Sequence, residues 1–215
     1  MSDLSRKSRI LTPGYEFGDA GDGGVVASYR QVFERQKLFG EHAINQLDDE
    51  GFFWSPPGPP HVPSGRGAGI NPVGVIAQHI GGNLKSRWTD FLTTDGEKEW
   101  RDRDAELARP AGTDIASMAR ERARITGEWE AGWAVLFAAL DTLTDADLAR
   151  TVTIRGAPHT VALALARCLD HMGFHVGQMN VVARQWVGSE AWEWFTLPPG
   201  GTADFNAAMR EKHGG

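Results

Sequence analysis

Four stretches of this chain repeat their apolar residues at intervals of three or four, a period that restricts it to helices each burying one face against others. The first spans about residues 23–47, with Val25, Tyr29, Val32, Phe33, Phe39, Ala43 and Leu47 along one side, and Asp49, Glu50 and Gly51 close it. The second opens at Asn71-Pro72, an N-cap residue followed by a proline whose missing N–H costs nothing in a first turn, and runs to about Leu92. The third starts at Thr113 or Asp114 and carries Ile115, Met118, Ile125, Trp129, Trp133, Leu136 and Leu140. The fourth covers about residues 160–187.

The intervening segments set the connectivity. The segment GFFWSPPGPPHVPSGRGAGINP is too rich in proline and glycine for regular helix or strand. Its length makes residues 52–70 a candidate cover for a pocket mouth. A charged stretch, GEKEWRDRDAELARPAG, follows the second helix. Thr151, Val152, Thr153 and Ile154 favour strand, and Arg155-Gly156 can turn it, which predicts a short hairpin before the last helix. Trp192, Trp194 and Phe195 in the tail are costly to expose together and are expected to fold back on the helices. The pattern predicts an all-α fold: a four-helix bundle with long crossover connections and a short β-hairpin. One domain is expected over residues 1–215, with the bundle at about 23–187 and the tail 188–215 packed on it.

Charge and composition narrow the function. The net charge is −6 and no dense Lys/Arg stripe reverses it, which argues against a nucleic-acid partner. No stretch approaches the roughly 20 apolar residues of a membrane span, and the N-terminal segment lacks a signal-peptide core. A single cysteine, Cys168, excludes an internal disulfide framework. These features lead to the expectation of a cytoplasmic protein acting on a small molecule.

Histidines carry the chemistry. On a helical wheel at about 100° per residue, His175 lies about 40° from His171, and both fall within the arc of Cys168, Met172, Met179 and Val182. Two imidazoles four residues apart can grip one metal ion. A lone histidine on an apolar face is more often a hydrogen-bonded core residue, but a neighbouring pair leaves several ring nitrogens to satisfy, and a metal does so economically. On the second helix, His79, Asn83 and Asp90 form a polar stripe beside the apolar arc, with Arg87 between, which makes His79 the natural third ligand. On the same wheel Asp170 points to the far side. His42, His61 and His213 are weaker candidates, and His159 sits at the hairpin–helix junction. Cys168, one turn before His171, is read as packing rather than as a fourth ligand.

At these positions the chain resembles the DinB-like proteins, a superfamily that includes thiol-dependent S-transferases. The resemblance rests on NPVGVIAQHIGGNLKSRWTDFLTTDGEKEWRDRD, TVTIRGAPHTV, HMGFHVGQ and the ending LPPGGTADFN, and it covers about residues 23–206. It implies a four-helix bundle with a metal ion on His79, His171 and His175, frequent homodimers, and an uncharacterised subfamily. Three ligands leave a coordination position open, as catalytic sites do. An all-imidazole site suits zinc, nickel, iron or copper, with zinc and nickel placed first.

Two chemistries follow. A low-molecular-weight thiol could be activated for attack on an electrophile, as the related transferases imply, or water could be activated for hydrolysis of a carbonyl or ester. Asn83, Arg87, Asp90 and Gln178 are the candidates for orienting a polar cofactor or holding the imidazoles. The third alternative is a non-catalytic metal- or ligand-binding stress protein.

Overall fold

The computed structural model describes residues 23–57, 70–108 and 114–213. The protein is mostly helical, with one small antiparallel hairpin. In chain order the elements are α1 (Val25–Asn45), α2 (Asp49–Phe53), α3 (Val73–Trp88), α4 (Arg103–Glu106), α5 (Ile115–Asp141), a 3-10 turn (Asp145–Ala149), β1 (Thr151–Ile154), β2 (Ala157–Thr160), α6 (Val161–Val187) and α7 (Thr202–His213). No helix among the described residues is long and apolar enough to cross a membrane.

Side-chain caps fix where the long helices begin. Asp114 accepts the N–H of Ser117 at 3.0 Å and starts α5. Thr160 accepts that of Leu163 at 3.1 Å and starts α6. The first helix has no local cap. Instead the carboxylate of Asp145, far along the chain, accepts the N–H groups of Val25 and Val26 at 2.8 and 2.9 Å. It satisfies two of the donors that an α-helix leaves orphaned at its start. Gly24 leaves room for it, since any Cβ there would strike the Asp145 carboxylate.

Two boundaries differ from the sequence expectation. Asp49, Glu50 and Gly51 do not simply end α1. Asp48 accepts the Gly51 N–H at 2.7 Å and caps a separate helix, α2. The second expected helix, α3, stops at Trp88 rather than near Leu92: Thr89 is extended and Asp90 turns left-handed at φ 47°. The carbonyl of Asp90 then accepts the N–H groups of Thr93 and Thr94, both at 3.0 Å, closing a turn that apolar periodicity did not announce.

The long helices α1, α3, α5 and α6 contribute to one buried apolar cluster. Helix α3 lies against α5 and α6, while α1 lies mainly against α6. The α3–α5 crossing is unusually close. A Cβ built on Gly81 would stand 2.5 Å from the carbonyl oxygen of Glu128, and one on Gly132 would stand 2.7 Å from the Cα of Gly81. Both positions therefore require glycine for the backbones to touch. Phe33, Ile80, Leu84, Trp129, Trp133, Leu136, Leu165 and Met172 are fully buried in the cluster that the four helices share. Each large apolar side chain so buried contributes roughly 1.5–3 kcal/mol.

The hairpin pairs Thr151 with Thr160, Val152 with His159, Thr153 with Pro158 and Ile154 with Ala157. Arg155 and Gly156 occupy its turn at φ 55° and 74°, the positive values that two-residue hairpins favour. Asp95 holds the turn from outside, accepting both of its N–H groups at 2.8 Å. Gly96 adds a backbone bond to Thr153 at 2.7 Å. The charged stretch after α3 is thus fastened to the hairpin, and together they wall a cavity. In the tail, Trp192 and Phe195 are buried, Phe195 stacks on Phe39 at 4.8 Å, and Arg184 lies over Trp194. The final helix α7 was not anticipated.

Candidate metal centre

Helix α3 presents His79, and α6 presents His171 and His175 one turn apart. The fold brings the three together: one ring nitrogen from each lies within 4.8 Å of the other two. Nε2 of His171 is 3.4 Å from Nε2 of His79 and 3.0 Å from Nε2 of His175. Tetrahedral ligands around a zinc ion at its usual bond length would be about 3.3 Å apart, so the donors fit a small cation.

The opposite edges of two rings are held. Nδ1 of His79 is 3.1 Å from a carboxylate oxygen of Glu106, and Nδ1 of His175 is 2.9 Å from the side-chain oxygen of Gln178. Both partners are acceptors, so each Nδ1 carries the proton and each Nε2 turns a lone pair inward. An Nε2–H on His171 can serve one of those two lone pairs, whereas a cation among the three nitrogens serves all of them. Burial, then the neighbouring His175 and His79, push the pKa of His171 down to about 3. Burial also lowers that of His175, against the raising effect of Gln178. Both rings are therefore neutral near pH 7, the form that binds metal.

Glu106 is itself supported. Arg101 donates to its two carboxylate oxygens, at 2.8 Å each. Burial favours the protonated acid, but Arg101 and His79 outweigh it, and the Glu106 pKa lies below the ordinary carboxylate value. Gln78 donates to the Glu106 carbonyl at 2.9 Å. Gly82 makes the approach possible, because a Cβ there would collide with the Glu106 carboxylate.

The histidines open on a cavity of about 370 Å³, walled also by the hairpin and the segment after α3. Asn83 and Arg87 line it, as expected from the sequence. Arg87 donates to Glu97 at 2.8 Å and to the Gly96 carbonyl. Asp90 is not in the lining: the helix ends before reaching it, and its exposed side chain sits on the turn described above. Asp170, expected to point away, does line the cavity, because the hairpin and the Arg103 segment carry the cleft past the apolar arc of α6. Cys168 lies outside the histidine group. Its Sγ accepts the indole N–H of Trp88 at 3.3 Å, and burial pushes the thiol up to about 12.

The weaker histidines have other work. His42 donates to the Glu193 carbonyl at 2.6 Å and anchors the tail. His159 bonds Ala157 and Arg167. His61, with most of the 52–70 connection proposed as a cover, lies outside the described residues, as does the side chain of His213. Sequence reasoning missed Glu106, Arg101, Arg103, Arg155 and Arg167. For Arg101, Arg103 and Glu106 the available signal was the density of charge in residues 95–106; Arg155 and Arg167 carried none.

A family model described as a protein of unknown function, DUF1572, matches residues 24–201. No curated protein and no solved structure matches the chain significantly.

Proposed function

The chain belongs to the DUF1572 family, which is DinB-like, and on that premise we propose that it is a four-helix bundle holding one divalent metal ion, zinc or nickel, on His79, His171 and His175. The observation that carries this reading is the inward convergence of the Nε2 atoms while Glu106 and Gln178 hold two of the rings from behind. An ion bound there would acidify a thiol or water at its open position.

The reading extends to a cytoplasmic S-transferase that joins a low-molecular-weight thiol to an electrophile. The thiol gives its proton to solvent, its sulfur supplies the electron pair of the new S–C bond, and the leaving group takes the pair of the carbon–leaving-group bond that breaks. Asn83 and Arg87 on the cavity wall would orient the reactants, and Glu106 and Gln178 would keep the ligand rings in register. Hydrolysis by the same centre is the second reading, favoured by Asp170, a carboxylate in the cavity able to take a proton from water. As in DinB-like relatives, the working form is read as a homodimer. The exposed Phe174 and Val181 on one stripe of α6 support a partner there.

The experiment pairs metal analysis of the purified protein with a thiol panel and a generic electrophile, and an ester panel without thiol. Thiol-dependent turnover above the metal-free control supports transfer. Ester turnover alone, lost in Asp170→Asn, supports hydrolysis. Stoichiometric metal with neither activity leaves a metal- or ligand-binding protein, and no metal ends the reading.

A further inference from the structure

The whole chain is acidic, with a net charge of −6, yet the cavity beside the histidines is lined by Arg87, Arg101, Arg103, Arg155 and Arg167 against a single carboxylate, Asp170. Part of that charge is answered from behind. Glu97 receives Arg87 and Arg155, each at 2.8 Å, and Glu106 receives Arg101. Five guanidinium groups then face three carboxylates, Asp170, Glu97 and Glu106, an excess of two positive charges before any metal is bound.

The excess is localised. The side chain of Arg101 is only 1% exposed, and its Nη1 has no hydrogen-bond acceptor; the nearest oxygen of Glu97 is 3.8 Å away. A buried guanidinium N–H left without an acceptor is costly, and an incoming oxyanion relieves the cost. Among the described residues Arg103 has no hydrogen-bond or ion-pair partner and Arg167 bonds only the ring of His159, which brings no negative charge. Arg167 stands one helical turn before His171 on the same side of α6, and Arg101 grips the carboxylate that holds His79.

We propose that this cavity binds a small organic anion, its carboxylate or phosphate group seated on Arg101, Arg103 and Arg167 with the remainder directed toward the histidines. The forked guanidinium suits both oxyanions. A volume of about 370 Å³ suits a metabolite-sized ligand. The inference deepens the metal-centre reading and rests on it for which end of the ligand reacts, while the anion seat uses other side chains.

The test is calorimetric titration of the full chain, metal-loaded and metal-free, with succinate, inorganic phosphate and the neutral succinamide. Succinate or phosphate should bind at least tenfold more tightly than succinamide, and whichever anion binds identifies the group. The variant Arg103→Gln/Arg167→Gln alters two exposed side chains and should bind that anion at least tenfold more weakly, with its metal content unchanged. Succinamide binding as tightly as succinate, no binding of either anion, or an undiminished double variant would overturn the proposal. A wild-type protein that takes no metal but binds an anion through these arginines upholds the seat and defeats only the metal reading. One that holds metal and shows no preference for anions defeats only the seat.

Discussion

The two sides of helix α3 solve opposite problems with the same sixteen residues. Toward α5 the helix offers Gly81, Ala77 and Leu84 and lets the backbones meet, with Trp129 and Trp133 sealed beside the seam. That side is so dry that both indole N–H groups lack an acceptor. Toward α6 it offers His79, Asn83 and Arg87, and a chain of polar contacts holds two of them: His79 by Glu106, Glu106 by Arg101, Arg87 by Glu97. The comparison teaches that packing supplies stability on one side, and that the arrangement of the other is what a ligand would read. The bonded part of this wall, His79 to Glu106 to Arg101, is expected to be nearly rigid before anything binds.

Substitutions can break or sharpen that contrast. The largest effect belongs on the dry side. Trp133→Ala removes a fully buried indole and should cost about 3–5 kcal/mol in chemical denaturation. A smaller loss would mean that the seam relaxes around the cavity. Gly81→Ala forces a methyl group against the Glu128 carbonyl and should cost about 1–3 kcal/mol by the same measurement, without changing metal stoichiometry. On the wet side, Glu106→Gln should weaken metal binding roughly 10–100-fold, since His79 loses the charged acceptor that orients it. An unchanged affinity would detach Glu106 from the centre.

Acidity gives a more graded contrast. Burial and the neighbouring imidazoles push His171 down to about 3 in the folded chain, from an ordinary value of 6.5. Between those values the unfolded chain binds more protons than the folded one, so the metal-free protein should lose stability as the pH falls through that window. The contribution of His171 should level off above it. Denaturation curves at pH 7.5 and pH 5 test this, and greater stability at pH 5 would mean that the rings are charged in the fold. The smallest effect is expected from Cys168→Ser. Its sulfur faces Trp88, so metal affinity should not change, and a large drop would make it a ligand.

Much of this was legible from periodicity and punctuation. Apolar spacing located the long helices. Thr160 and Asp114 marked two starts, and Arg155-Gly156 marked the turn of the hairpin. The wheel also placed His171 and His175 together and put His79 on the side where they now meet. It failed where a local break or a distant fold-back decides position. Asp90 seemed to share the stripe of His79 only because the helix was extended past Trp88. Asp170 seemed outward because a wheel knows the core but not a cleft built by other segments. Glu106 and the arginines depend on residues 95–106 folding against the hairpin through Asp95, Gly96 and Glu97, a non-local arrangement without a period. Asp145 capping α1 is the same kind of contact.

Metal titration of the wild-type chain beside His171→Ala tests the central claim most directly, because His171 lies within reach of both other rings. One divalent ion should bind per wild-type chain and at least a hundredfold more weakly in the variant, with the helical content of the two proteins alike. A wild-type chain that takes up no zinc or nickel, or a variant that binds as tightly as the wild type, would contradict it.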